Sequence, residues 1–119
     1  PITGGRVEGP DFRGRILPGG SDWPIVRRDG TSLIEARYTV EAEDGTLVLV
    51  HNRGLRVSSE QVLAKLRSKE PVSPDAYYFR TVTEFDAPDG PHQWLREAIF
   101  VGSAAPGEGA VVIDIFRVE

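Results

Sequence analysis

Cysteine is absent, which removes disulfides and thiolate–metal chemistry and leaves the redox compartment undecided. Only two histidines occur, His51 and His92, too few to furnish a zinc site, and no metal-ligand spacing is visible. A basic excess is also missing. Lys and Arg number 14 against 18 Asp and Glu, and the formal net charge of −4 argues against nucleic-acid binding. No apolar run approaches a membrane span and no signal peptide is read ahead of the domain, so the expectation is a cytoplasmic protein with no membrane partner. Gly102-Ser-Ala-Ala-Pro-Gly lacks the lysine and following helix of a phosphate loop, and no cofactor is expected. Internal repeats and low-complexity tracts are absent too.

What remains is an ordinary globular composition, 39% hydrophobic and 27% charged, with 13 Gly and 9 Pro marking many turns. At 119 residues the chain is one domain, 1–119, with room for a single core. Its most informative stretch runs from Ser32 to Gly54, two runs of strand formers joined by Asp44-Gly45, a strong hairpin signal. A two-residue turn there sets Ala42 opposite Leu47, Val40 opposite Leu49, Tyr38 opposite His51 and Ala36 opposite Arg53. A three-residue loop with a bulge shifts the second strand by one. The first strand has a polar and an apolar face. Leu47-Val48-Leu49-Val50 is apolar on both, so it needs cover on both sides. This predicts a sheet curled around its own interior with its outside packed on something else, a second copy of the chain being the expected cover.

The N-terminal third, 1–29, is rich in Gly and Pro, with Arg13-Gly-Arg-Ile-Leu as its best strand and turns at Pro18-Gly19-Gly20 and Asp29-Gly30. At Ser58 the period changes. Ser58-Ser59-Glu60-Gln61 is a helix start, and Val62, Leu63 and Leu66 form one apolar stripe, giving one short helix that stops before Pro71 and Pro74. Alternation resumes over Tyr77–Phe85. Strands are then expected over Trp94–Ser103 and Val111–Val118, with a loop over 104–110. Many short strands, many turns and one helix predict an all-β fold, a small antiparallel barrel.

An ordered set of short motifs carries a resemblance. It comprises Gly4-Gly5-Arg6 with Glu8-Gly9-Pro10, Pro18-Gly19-Gly20 with Asp22-Trp23, Glu35-Ala36-Arg37-Tyr38, Asp44-Gly45, Arg53-Gly54, Tyr77-Tyr78-Phe79-Arg80-Thr81, Trp94-Leu95 and Val101-Gly102. In order and spacing these resemble the domain-of-unknown-function 3237 family, also called uncharacterised protein family 0311, from Gly4 to the C-terminus. The resemblance implies a small antiparallel β-barrel similar to allene oxide cyclases and dirigent proteins, and little about reaction. Two departures stand out. Family members usually carry a further stretch with an extra strand upstream of the Gly-Gly, and the family pattern generally has Asn after Trp-Leu where this chain has Arg96.

Glu35 and Arg37 are alternate residues of one strand and emerge side by side. Inside a barrel, Arg37 would grip a carboxylate or enolate oxygen and Glu35 would accept a proton. On an outer face the pair would be solvated and worth at most about 1 kcal/mol. The resemblance falls on these residues and favours the interior. Asp22 could serve as or orient a base, with Trp23 as a flat wall; otherwise Trp23 plugs the barrel and Asp22 caps a turn. Trp94 either lines a lumen or is core. Tyr38, His51 and Arg53 share the other face in the two-residue-turn register and form the alternative constellation. Asp114 is an outward charge or a lumen carboxylate. Pro1 offers a terminal amine of the kind tautomerases use, but those folds are built from β-α-β units, so a trimmed start is expected.

The functional expectation is a small-molecule ligand held in a barrel lumen. As an enzyme, the chain would be a cofactor-independent isomerase, cyclase, hydratase or lyase doing proton-transfer chemistry on a small carbonyl or carboxylate compound. A non-catalytic barrel carrying a small hydrophobic molecule is one alternative, and a structural subunit with a filled barrel is another.

Overall fold

A computed structural model of the chain describes residues 2–73, 76–107 and 110–119, with the side chains of 106 and 107 left aside. Pro1 and Pro74, and the centre of the loop expected over 104–110, lie outside the described residues. The architecture is the all-β one anticipated, a curled antiparallel half-barrel with one α-helix among the described residues. Its strands are β1 (Gly5–Val7), β2 (Gly14–Ile16), β3 (Ser21–Asp22), β4 (Ile25–Val26), β5 (Ser32–Ala42), β6 (Leu47–Val57), β7 (Tyr78–Asp86), β8 (Ile99–Gly107) and β9 (Ala110–Val118). They run β1-β2-β5-β6-β7-β8-β9 across one sheet, with β3 and β4 also pairing along the edge of the long β5.

The central hairpin forms where expected, one residue out of the two-residue-turn register. Val40 faces Val48 and Glu41 faces Leu47. The cause is the turn. Gly45 N–H donates to the Ala42 carbonyl and Ala42 N–H to the Thr46 carbonyl, while Gly45 takes a positive φ of 87°. That is a three-residue loop closed by a glycine bulge, and the Asp44 side chain stabilises it by accepting from Thr46 N–H at 3.0 Å. The shift moves Tyr38 opposite Val50 and sets His51 and Arg53 on the face of Glu35 and Arg37.

Helix α1 (Glu60–Arg67) begins as its sequence dictates, with Ser59 Oγ accepting from Val62 N–H at 3.2 Å, Glu60 in the first turn and Lys65 and Arg67 in the last. Leu63 is its buried residue. The strand expected from Trp94 starts later. Gln93–Glu97 is a short 3-10 helix, and β8 begins at Ile99 and runs on to Gly107, beyond the expected end at Ser103. Leu95 and Trp94 are thereby turned into the core rather than alternating along a strand.

The sheet curls toward the face of Val40, Val48, Val50 and Phe100, which with Phe12, Ala42, Ala87 and Leu95 form the main cluster. A second cluster under α1 joins Tyr77, Phe79 and Ala104 with Ile34 of β5 and Ile113 of β9. Those two strands are separated in the sheet by β6, β7 and β8, so only a curl brings their side chains to one cluster. The interior is filled by side chains. Val48 is 0% and Val40 1% exposed, and Ser32, Asn52, Thr81 and Thr83 are buried with them.

Candidate functional site

The inner side of a tightly curled sheet has little room, and the chain supplies small residues there. Ala36, Asn52 and Thr83 form one row across β5–β7; Gly54, Thr81 and Gly102 form another across β6–β8. Across these two rows the long ionisable side chains Glu35, Arg37, His51, Arg53 and Glu84 point outward, whereas Arg56, at the end of β6, turns inward and donates to Ser32 Oγ. Glu35 and Arg37 lie on the outer face rather than in a lumen, and the Arg37 side chain is 60% exposed.

On that face the register assembles a cluster. Arg37 of β5, His51 of β6 and Glu84 of β7 are successive cross-strand partners, and Glu35 sits opposite Arg53. One oxygen, Glu35 Oε1, lies 3.0 Å from His51 Nε2 and accepts from Arg37 Nη2 at 3.3 Å. Arg53 Nη2 stands 3.6 Å from Glu84 Oε1. His51 is the most enclosed member of its group, its side chain 21% exposed. Arg37, His51 and Glu84 line a groove of about 550 Å³ whose far wall is the Pro18-Gly19-Gly20 turn. A side chain at Gly20 would collide with Tyr38 and the Arg37 carbonyl, so glycine is what lets that wall approach β5.

The remaining sequence candidates are dispersed. Tyr38 turns inward and packs on the main cluster, and burial pushes its hydroxyl pKa up. It does not join His51 and Arg53. Asp22 is in β3 rather than a loop, paired with Ala36, so it points to the opposite side from Glu35 and Arg37; partial burial raises its pKa. The Trp23 side chain is exposed, and its backbone N–H donates to the Glu35 carbonyl. Trp94 packs against Phe100 with ring centroids 6.1 Å apart, under the Arg117 guanidinium, as core. Asp114 is exposed on β9 opposite Ser103, an outward charge. Sequence reasoning assigned nothing to Glu84 or His92. His92 Nε2 lies 2.9 Å from Asp44 Oδ2 and its ring meets Phe12 edge-on, fastening the hairpin turn to the 3-10 helix.

The Glu35 carboxyl is held below its ordinary value of 4.5, first by the His51 hydrogen bond and then by the Arg37 charge, against an opposing effect of burial. A depressed carboxylate adds stability that is complete above its unfolded pKa and is lost as pH falls through the folded one. Glu35→Gln should therefore lose less stability than the parent on acidification below about pH 4.5. Asp44 and Asp29 keep their share in both proteins, each lowered mainly by a backbone N–H bond, from Thr46 and Thr31. Urea midpoints measured from about pH 6 to about pH 3 check this; parallel curves would mean that the carboxylate gains nothing from His51.

Among known proteins, a family profile described as "Protein of unknown function (DUF3237)" matches residues 1–118. A UPF0311 protein of Rhodopseudomonas palustris (strain TIE-1) is 42% identical over 118 residues, 99% of this chain and 77% of that protein. A crystal structure of a conserved protein of unknown function from Rhodopseudomonas palustris superposes with a TM-score of 0.93 at 42% identity, over 98% of this chain and 78% of that one. A crystal structure described as a beta-barrel like protein from Acinetobacter baumannii AYE gives a TM-score of 0.84 at 37% identity, over 100% of this chain and 76% of that one.

Proposed function

We propose, for a chain that belongs to the DUF3237 family of proteins of unknown function, that the Arg37–His51 groove is a small-molecule site for proton transfer on a carbonyl or carboxylate compound. The observation that carries the reading is the single oxygen of Glu35 held between His51 Nε2 and Arg37 Nη2. With Glu35 ionised, it accepts from Nε2–H of His51, and the other ring nitrogen, Nδ1, is then the one that would act as the general base. Arg37 offers five N–H donors and gives one to Glu35, so its fork is open to a substrate carboxylate or to the oxygen of a developing enolate. Abstraction of a proton next to a carbonyl moves the electron pair onto that oxygen, where the guanidinium stabilises it. Return of the proton at a second position is an isomerisation; loss of a leaving group is a lyase reaction. Glu35, read from the sequence as the base, becomes the positioning residue for His51.

The test is exchange of carbon-bound hydrogen in deuterium oxide, followed by NMR on a panel of 2-oxo and 3-oxo carboxylates. One or more should lose its α-proton signal in the presence of the protein. His51→Ala should slow that exchange by roughly 100-fold or more, the usual contribution of a general base. Arg37→Lys should raise the half-saturating concentration while the fold is kept, because the charge stays and the fork is lost. Exchange that is unchanged in both variants would sink the assignment.

A second reading rests on a separate observation, the filled interior beneath an outer face bearing exposed Leu49, Leu55, Val82, Val101, Phe116 and Val118. It is a structural barrel that self-associates through that face. Sedimentation at micromolar concentration distinguishes it, since a monomer of 13.1 kDa throughout would remove it.

A further inference from the structure

We propose that a second groove on the outer face, separate from the Arg37–His51 groove, binds a small aromatic carboxylate. It crosses β6 to β9 and has a volume of about 520 Å³, within the range of small-ligand pockets. Its floor is one cross-strand row, Val82 of β7, Val101 of β8 and Phe116 of β9. All three are well exposed, Phe116 at 59%. β-branched side chains on adjacent strands make a flat apolar surface, and the rings of Phe116 and Tyr78 extend it, so a planar aromatic body matches it better than a flexible chain.

Charge sets the sign of the ligand. The charged side chains lining this groove are Arg53 and Arg80, and no acid lines it among the described residues. Arg53, opposite Val82, has one contact with Glu84 at 3.6 Å. Arg80, on the strand of Val82, donates from Nη1 to the Phe79 carbonyl at 3.0 Å and lies over the Tyr78 ring at 5.3 Å. Each guanidinium has five donors, so both keep donors for a ligand. Two cationic forks at the edge of an apolar floor are complementary to an anion carried on a hydrophobic body, and a carboxylate is the planar anion such a fork binds in pairs of hydrogen bonds. Arg37 and His51 do not line this groove, so the inference stands whether or not the other site transfers protons.

The test titrates the protein with 2-naphthoate and, in parallel, with the neutral 2-naphthylmethanol, following amide chemical shifts. The naphthoate should bind with shifts centred on Val82, Val101 and Phe116, and the alcohol at least about tenfold more weakly. Arg53→Gln with Arg80→Gln should cost the naphthoate on the order of tenfold and leave the alcohol unchanged. Both arginines are exposed, and Val101→Ser, weakening both ligands alike, is the check that does not touch them. Equal affinity for acid and alcohol, or shifts centred elsewhere, would overturn the proposal. So would self-association through these residues that naphthoate does not reverse, which would give the face to a second copy of the chain.

Discussion

Gly102→Ala is expected to destabilise the fold by about 2–3 kcal/mol, and Thr81→Ala to cancel most of that loss. Thr81 lies on β7 directly between Gly54 of β6 and Gly102 of β8, all on the inner side of the curl. A Cβ at Gly102 would overlap Thr81 Oγ1 and come within 3.2 Å of Ile113 Cγ2. One at Gly54 would fall 2.8 Å from Thr81 Cγ2 and against the Arg80 carbonyl oxygen. A single buried threonine thus fills the space over both neighbours, and the two glycines let the strands curl that tightly. Neither glycine needs a positive φ, so alanine carries no conformational penalty and the cost is steric. The obstacle differs between the sites. At Gly102 it is chiefly a side-chain atom, which Thr81→Ala deletes; at Gly54 it includes backbone, which moves only with its strand. A double-mutant cycle by urea denaturation should therefore show Gly102→Ala almost fully rescued and Gly54→Ala only in part. A neutral Gly102→Ala would mean that the sheet is flatter here than described.

That row also explains how far the sequence could be read. The hairpin about Asp44-Gly45, the helix after Ser59 and the alternation before Phe85 are local signals, and each produced its element. Register was not local. It depended on whether Gly45 served as a turn centre or as the bulge residue, and that choice moved His51 and Arg53 across the sheet relative to Tyr38. Which face would be the interior was a question of size summed over several strands. Ala36, Gly54, Thr81 and Gly102 are unremarkable singly and become a pattern only when the strands are placed side by side. Glu35 and Arg37 were legible as neighbours because alternate strand residues always share a face. His51 became their partner through pairing across the hairpin, and His92 met Asp44 over a sequence separation of 48 that no local pattern announces. Trp94 looked like the start of a strand because it is aromatic, whereas the chain uses it to pack the core from a 3-10 turn.

Thr83→Val and Thr81→Val should give opposite results although the two threonines are alternate residues on one strand and face the same interior. Thr83 Oγ1 donates to Asn52 Oδ1 at 2.6 Å, and both residues are 2% exposed. Valine keeps the shape at 83 but removes the donor, leaving the Asn52 oxygen buried without this partner at a cost of about 1–3 kcal/mol. Thr83→Ser retains the hydroxyl and gives up a methyl group, about 1 kcal/mol. Adding Asn52→Leu to Thr83→Val should recover much of the loss, since an apolar pair needs no hydrogen bond. Thr81 Oγ1, by contrast, is buried with no hydrogen-bond partner among the described residues. Valine there deletes a hydroxyl already desolvated without return, so the change should be neutral or stabilising, by up to about 1 kcal/mol. Urea denaturation of the single variants and of the double variant decides it. Equal losses at 81 and 83 would show that packing, not hydrogen bonding, governs this face, and that the Asn52–Thr83 bond contributes nothing of its own.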